Sequence, residues 1–591
     1  MHHPFETGIR WRWALALLAA GLSGCSTMHV INRVDFPDAT LNGHPVNFTL
    51  DTGASMTLIT SAEADALGLE TVYTMPGSVT SKGHMGFSLS EPAHLTIGQN
   101  SFTTELVVGN TPKNVALDSG LGERVDGVVG WPEIWSNILV FEGDHRKITA
   151  VTTLPPETAG WLKLKLHPFV QLGIETPLPN GDTGVLLVDT GSYFGVSLPP
   201  EQWKTWYAAH PNAPTAAMMY YTPGVGQVLT TEAWADEIKL GAFTLTDVPV
   251  HEANTAEMKI DAKHYAGTLG LYALSRLHMV VDGRRGNVYL SPLPPPGPYY
   301  SAFHRAGIKD DTEDNPRRGD WTIEGPVKLD LDNLYMYSSS MMEDAGNKKI
   351  SNGDNKGALA DLSKAIEIFP KNAGAIVRRA MVYESENDFT AAMADYTLAI
   401  ATLPPREGAY QRLIMQARIS ELKDDMNGAI TLYTTAINLD PKNFEAYFLR
   451  GVDRQVMGTL AEALADYDQA ATLQTDNVAL PLLYHEVLRR WMSGLKNDLA
   501  KDIATWDDPW SKNAGNYLNG TMSEAAFLAA ADKSSPARVF DCKTYYLVGI
   551  NHLLNRDVPG ARDFWKKCLS TNAKSIAEYR FAKAALTQFG L

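Results

Sequence analysis

The chain has 591 residues, 45% of them hydrophobic and 20% charged, with a formal net charge of -16. At about 150 residues per domain this is several folded units rather than one core. The acidic balance argues against nucleic acid as the main partner, because phosphate binding needs a basic face, and against electrostatic docking on anionic lipid.

The first residues read as a targeting segment. Arg10 and Arg12 form a short positive region, and Trp13 to Gly21 is an apolar run too short to span a bilayer. It ends in Leu22-Ser23-Gly24-Cys25. This resembles the bacterial lipobox, which implies that residues 1–24 are removed and that Cys25 is lipidated at the mature N-terminus. The other reading is an ordinary signal peptide with a chance cysteine. Ser26, rather than aspartate, follows Cys25. By the same resemblance this implies the outer membrane, facing the periplasm. No other run reaches ~18 apolar residues.

Residues ~29 to 292 carry short alternating apolar and polar runs with Gly and Thr, the pattern of strands and turns. This region is duplicated. Phe48-Thr49-Leu50-Asp51-Thr52-Gly53-Ala54-Ser55 recurs as Leu186-Leu187-Val188-Asp189-Thr190-Gly191-Ser192, and Asp126-Gly127-Val128-Val129-Gly130 recurs as Ala266-Gly267-Thr268-Leu269-Gly270. Val140-Phe141-Glu142-Gly143 recurs as Val280-Val281-Asp282-Gly283, with Glu142 and Asp282 expected at the surface. Two lobes, 25–155 and 156–292, are therefore expected to share one plan. Each Asp-Thr-Gly, preceded by a strand and followed by an apolar-Gly motif, resembles the active-site turn of retropepsin-like and pepsin-type aspartic proteases.

That resemblance implies two carboxylates, Asp51 and Asp189, facing each other across a pseudo-twofold axis. Two like charges so close cannot both ionise easily, so the pair shares a proton and serves as base and acid together. Gly53 and Gly191 are expected to permit the tight turn. The resemblance further implies that Thr52 and Thr190 bond across the lobes, that Ser192 hydrogen-bonds its aspartate, and that Gly130 and Gly270 lie on strands behind the turns. It places substrate-covering hairpins at Met75 to Gly86 and Tyr220 to Val228. Tyr193-Phe194 departs from the family's usual Ser or Thr and leaves open an inactive, peptide-binding pair of lobes. The chemistry needs no metal and no cofactor. No zinc-ligand spacing, Gly-x-Ser-x-Gly elbow or phosphate loop occurs in the sequence.

Residues 293–330, with Pro294, Pro295, Pro296 and Pro298, read as a linker with one strand near Trp321 to Ile323. From 331 to 591 the pattern is helical. Ala358, Ala392, Ala429 and Ala463 are spaced 34, 37 and 34 residues apart; Leu362, Tyr396, Tyr433 and Tyr467 keep those intervals, and Pro370, Pro404 and Pro441 close three units. This resembles the tetratricopeptide repeat. It implies a solenoid whose concave face binds a protein partner or substrate peptide. The match weakens through 480–540 and returns as a last hairpin with a capping helix.

Cys542 and Cys568 lie 26 residues apart, on either side of the turn Asp557-Val558-Pro559-Gly560. In an antiparallel helical hairpin these two places meet, so a disulfide is expected; two buried thiols are the other reading. The whole reads as a multidomain α and β protein. All-β tandem acid-protease-like lobes precede an all-α repeat solenoid. The expected function is a lipid-anchored periplasmic endopeptidase acting on polypeptide, with a non-catalytic peptide-binding scaffold as the alternative.

Overall fold

The computed structural model describes residues 33–75, 86–110, 125–168, 171–178, 181–192, 194–222, 226–253, 264–294, 321–404, 408–473, 479–494, 499–531, 537–588 and 590. The chain divides into two compact units, parting between Ser338 and Ser339.

In the first unit the two sequence copies fold alike. Strand Phe48–Asp51 runs parallel to Gly127–Gly130, with Asp51 opposite Gly130. Strand Leu58–Thr60 lies antiparallel to Gly127–Gly130 and parallel to Asn100–Asn110. In the second copy, Thr183–Val188 runs parallel to Tyr265–Leu269, with Val188 opposite Leu269. Val196–Leu198 lies antiparallel to Tyr265–Leu269 and parallel to Phe243–Glu252. The central strands are covered on both faces. Residues 184–188 are all buried, which is why they read as a near-continuous apolar run rather than an alternation.

The copies join through one sheet. Ile138–Glu142 pairs antiparallel with Leu277–Asp282, Val140 opposite Val280. Lys147–Val151 and Trp321–Glu324 extend it on one side; Asn287–Pro292 and Leu162–His167 extend it on the other. Trp321 is among the largest fully buried side chains, so the end of the expected linker is a strand of this sheet. Asp282 is also buried, contrary to the surface position expected for it. It caps the turn Gly283–Arg285, accepting from the Arg285 N–H at 3.3 Å and from Arg285 Nη1 at 3.0 Å.

The second unit is built from paired helices. Ala373–Ser385 pairs with Phe389–Thr402, Ala409–Leu422 with Met426–Leu439, and Phe444–Met457 with Leu460–Leu473. The repeat alanines and tyrosines, among them Ala392, Ala429, Ala463, Tyr396, Tyr433 and Tyr467, are buried between helices. Asp388 and Asp425 cap the second helix of their pairs, satisfying an otherwise orphan N–H. The residue before each cap, Asn387 or Asp424, has positive φ. The hairpin Ala537–Leu554 and Val558–Ser570 repeats this turn, with Arg556 at φ 65° and Asp557 as cap. It is followed by helix Ala577–Gln588.

The tyrosines carry a second regularity. Tyr396 donates to Glu384, Tyr433 to Glu421, and Tyr467 to Gln455, each twelve residues back on the first helix of the pair. The row of side chains they hold is met by the chain's own C-terminal segment. Asn387 donates to the Asn572 carbonyl, Arg418 to the Ser575 carbonyl, Arg580 pairs with Glu421 and Asp453, and Tyr484 donates to Glu578.

Candidate active site

Asp51 closes strand Phe48–Asp51, and Asp189 follows strand Thr183–Val188 directly. Each turn aims backbone donors at its own carboxylate. The N–H groups of Gly53 and Ala54 both lie 2.9 Å from Asp51 Oδ1, and the Gly191 N–H lies 3.0 Å from Asp189 Oδ1. The threonines between them cross. Thr52 Oγ1 donates to the Val188 carbonyl at 2.7 Å and accepts from the Thr190 N–H at 3.1 Å. Thr190 Oγ1 donates to the Leu50 carbonyl at 2.8 Å and accepts from the Thr52 N–H at 3.0 Å. Both threonines are fully buried, so these four bonds fix the two turns against each other.

The carboxyls of Asp51 and Asp189 face each other, each reaching over to the opposite turn's glycine. The glycines explain how they come so close. Neither Gly53 nor Gly191 has a left-handed φ, so the turn itself does not require them. A Cβ on Gly53 would sit 2.5 Å from Asp189 Oδ1, and one on Gly191 would sit 2.5 Å from Asp51 Cγ. Each glycine is the space in which the opposite lobe's carboxylate lies. Gly130 and Gly270 serve in a different way. A side chain on Gly130 would meet the Met56 backbone at 2.7 Å, and one on Gly270 would meet the backbone of Ser192 and Phe194.

The two carboxyls differ in their surroundings. Burial pushes Asp51 well above the usual carboxylate range, and the neighbouring Asp189 charge pushes the same way. Asp189 is also raised by burial, but the Ser192 hydroxyl, donating to Oδ2 at 2.6 Å, and the Asp51 carboxyl facing it pull it back. Ala54 stands where Ser192 stands in the other copy and has no hydroxyl to offer. Burial and the neighbouring charge therefore weigh more heavily on Asp51 than on Asp189, and the two titrate as one pair.

Sequence reasoning missed a brace at this site and a buried acid behind it. Gln171 donates its side-chain amide to the Gly53 carbonyl, and the Leu172 N–H donates to the Thr52 carbonyl at 3.0 Å, so the second lobe's entry segment braces the first lobe's turn. Glu133, on the short helix Trp131–Ile134 behind Gly130, is buried and its carboxyl is raised to about 7 by that burial. Gln171 has no periodic signal. Glu133 sits in an apolar run where a lone acid gives no cue to its burial.

Other expected features fall elsewhere. Cys25 and Tyr193 lie outside the described residues, as do the tips of both expected hairpins. The flanking strands Thr71–Thr74 and Gly86–Ile97 pair with one another, as do Thr215–Thr222 and Gly226–Leu240. Cys542 and Cys568 are buried thiols with sulfurs 2.9 Å apart. Among the described residues no cluster of His, Cys, Asp and Glu is placed to hold a metal ion, and no helix is long and apolar enough to cross a membrane.

Two carboxyls apposed on a pair of Asp-Thr-Gly turns make a site suited to activating one water between them. The sequence profile of the aspartyl protease family matches residues 38–132, a stretch that holds Asp51, the first copy's Gly130 and the strands between them. No curated protein matches the chain. Among solved structures, the chain is similar to a tetratricopeptide repeat protein from Parabacteroides merdae at 17% identity, over 42% of this chain and 99% of that one, with a TM-score of 0.26. It is similar to Pseudomonas aeruginosa pilF at 15% identity, over 42% and 99%, with a TM-score of 0.25. It is similar to the MamA protein at 14% identity, over 40% and 92%, with a TM-score of 0.20.

Proposed function

We propose that the chain is an aspartic endopeptidase that hydrolyses peptide bonds of an extended polypeptide held between the two lobes. The observation that carries this reading is the apposition of the Asp51 and Asp189 carboxyls, each lying in the space beside the opposite turn's glycine and set in crossed Thr52 and Thr190 contacts. Asp189, ionised, takes a proton from a water whose oxygen bonds to the scissile carbonyl carbon. Asp51 gives its proton to the carbonyl oxygen, and a neutral diol forms. A diol hydroxyl then returns a proton to Asp51 while Asp189 passes its proton to the amide nitrogen, and the C–N bond breaks. One water is consumed, no acyl-enzyme forms, and the dyad ends as it began.

The lipobox resemblance at Cys25 adds a lipid anchor on the outer membrane, facing the periplasm. The helical repeats add a protein-binding unit. Its first helices are met by segment 572–580, so a partner takes an outer surface of the repeats or displaces that segment.

The test is cleavage of an unfolded protein by the purified chain at acid pH. A statine-type inhibitor, whose hydroxyl mimics the diol, is expected to stop it. An inhibitor that binds while no peptide bond is cut under any condition would instead favour a non-catalytic peptide-binding scaffold.

A further inference from the structure

Helix Ala537–Leu554 and helix Val558–Ser570 form one hairpin, and Cys542 and Cys568 stand toward its open end. Their sulfurs are 2.9 Å apart, each side chain is fully buried, and each thiol also points to a backbone carbonyl: Cys542 to that of Cys568 at 3.6 Å, and Cys568 to that of Glu578 at 3.7 Å. The second of these carbonyls belongs to helix Ala577–Gln588, which packs Phe581 against Tyr546 and Tyr484 and so closes over the pair. Glu578 and Phe581 are themselves buried. Among the described residues both thiols are fully shielded from solvent. Their mutual hydrogen bond and burial raise Cys568 far above the usual thiol range, which disfavours its thiolate in the folded chain.

We propose that Cys542 and Cys568 are the two halves of a structural disulfide, closed while the hairpin has formed and before helix Ala577–Gln588 docks over it. The reaction is a thiol–disulfide exchange with a disulfide oxidant of an oxidising compartment. One cysteine's thiolate attacks the oxidant and forms a mixed disulfide, releasing a thiol. The second thiolate attacks that bond, the Cys542–Cys568 bond forms, and the oxidant leaves fully reduced. Two protons and two electrons pass to the oxidant. Two independent features support the pairing: the sulfurs already face each other, and the only other cysteine of the sequence is Cys25, at the far end of the chain. The bond ties the last hairpin together at its open end. It thereby holds the platform on which the C-terminal segment lies across the repeat helices.

Occurrence in the cell rests on the export reading, but the chemistry is tested without it. Full-length chain carrying Cys25→Ser is reduced, unfolded, and refolded by dilution into a glutathione redox buffer. A second sample is refolded under reductant first and only then moved to the same buffer. The first sample is expected to weigh two hydrogens less than the reduced chain and to yield one peptide joining residues 542 and 568. The second is expected to keep both thiols over the same time, alkylated only after denaturation. A first sample with free or glutathione-capped thiols and no joined peptide overturns the bond. A second sample that bridges as fast as the first overturns the order of events. Cys542→Ser in the first arm is expected to end with a glutathione adduct at Cys568; an equal yield of unmodified thiol there would show that the oxidant never reached the pair and would also count against it.

Discussion

At the scale of single residues the site depends on absences as much as on groups. Gly53 and Gly191 are empty space occupied by the opposite carboxylate. Gly53→Ala is therefore expected to abolish cleavage as fully as loss of an aspartate and to cost about 1–3 kcal/mol of stability by overpacking. Wild-type turnover in that variant would contradict the packing described. Ser192 acts on charge. Its hydroxyl favours the ionised form of Asp189, and a hydrogen bond to a charged group contributes about 1.5–3 kcal/mol. Ser192→Ala is expected to raise the lower of the two apparent dyad constants. The acid limb of the kcat/KM profile then moves to higher pH, because more base is needed to ionise Asp189. A limb that stays in place would mean that the hydroxyl does not reach the carboxylate. The aspartates and threonines were legible in the sequence because two copies of one motif are hard to produce by accident. The glycines were legible as residues but not in their role, which belongs to the space between lobes.

At the scale of elements, buried charge separates two cases. Glu133, on its short helix, has Thr57 and the acidic Asp330 acting on it and no cation among the groups that set its ionisation. Its ordinary value is 4.5 and its folded value is about 7, a gap worth about 3 kcal/mol. The folded state holds the proton more tightly, so stability is full below pH ~4.5 and falls as pH rises through ~7. Glu133→Gln is expected to stabilise the chain against urea at pH 8 and to change little at pH 4. Equal effects at both would show that the carboxyl ionises freely. Asp466 is the paired case. It is buried and accepts from Arg450 at 2.7 and 3.0 Å and from Arg454 at 2.7 Å. Asp466→Ala strands two guanidinium groups and is expected to cost roughly 3 kcal/mol in thermal unfolding. The Arg379–Asp395 pair repeats the bond, yet the unit between has Gln416 and Leu432 at those places. The repeat therefore does not need the ion pair; it needs an ion pair to be complete where one exists. None of this is visible in periodicity, which reports small and apolar positions and not partners sixteen residues away.

For the whole molecule, the architecture was largely readable and the boundaries were not. The 34-residue spacing announces paired helices, and the duplicated turns announce two lobes. But strand Trp321–Glu324 comes from beyond a proline-rich stretch and still joins the first unit's sheet. Likewise segment 572–580 crosses repeats far from it in sequence. Contacts closed by distant segments leave no local pattern. The export reading is tested at this scale: Cys25→Ser is expected to lose a lipid mass increment and to move the chain from membrane to aqueous phase on detergent partition. Native chain lacking the increment would contradict it. The claim on which the rest depends is that Asp51 and Asp189 act as one catalytic pair. Cut sites in an unfolded protein mixture, read by mass spectrometry for the native chain and for Asp51→Asn and Asp189→Asn, test it most directly. The account expects new termini with the native chain and none above background with either variant, both variants remaining folded. The same cut sites persisting in either variant would contradict it.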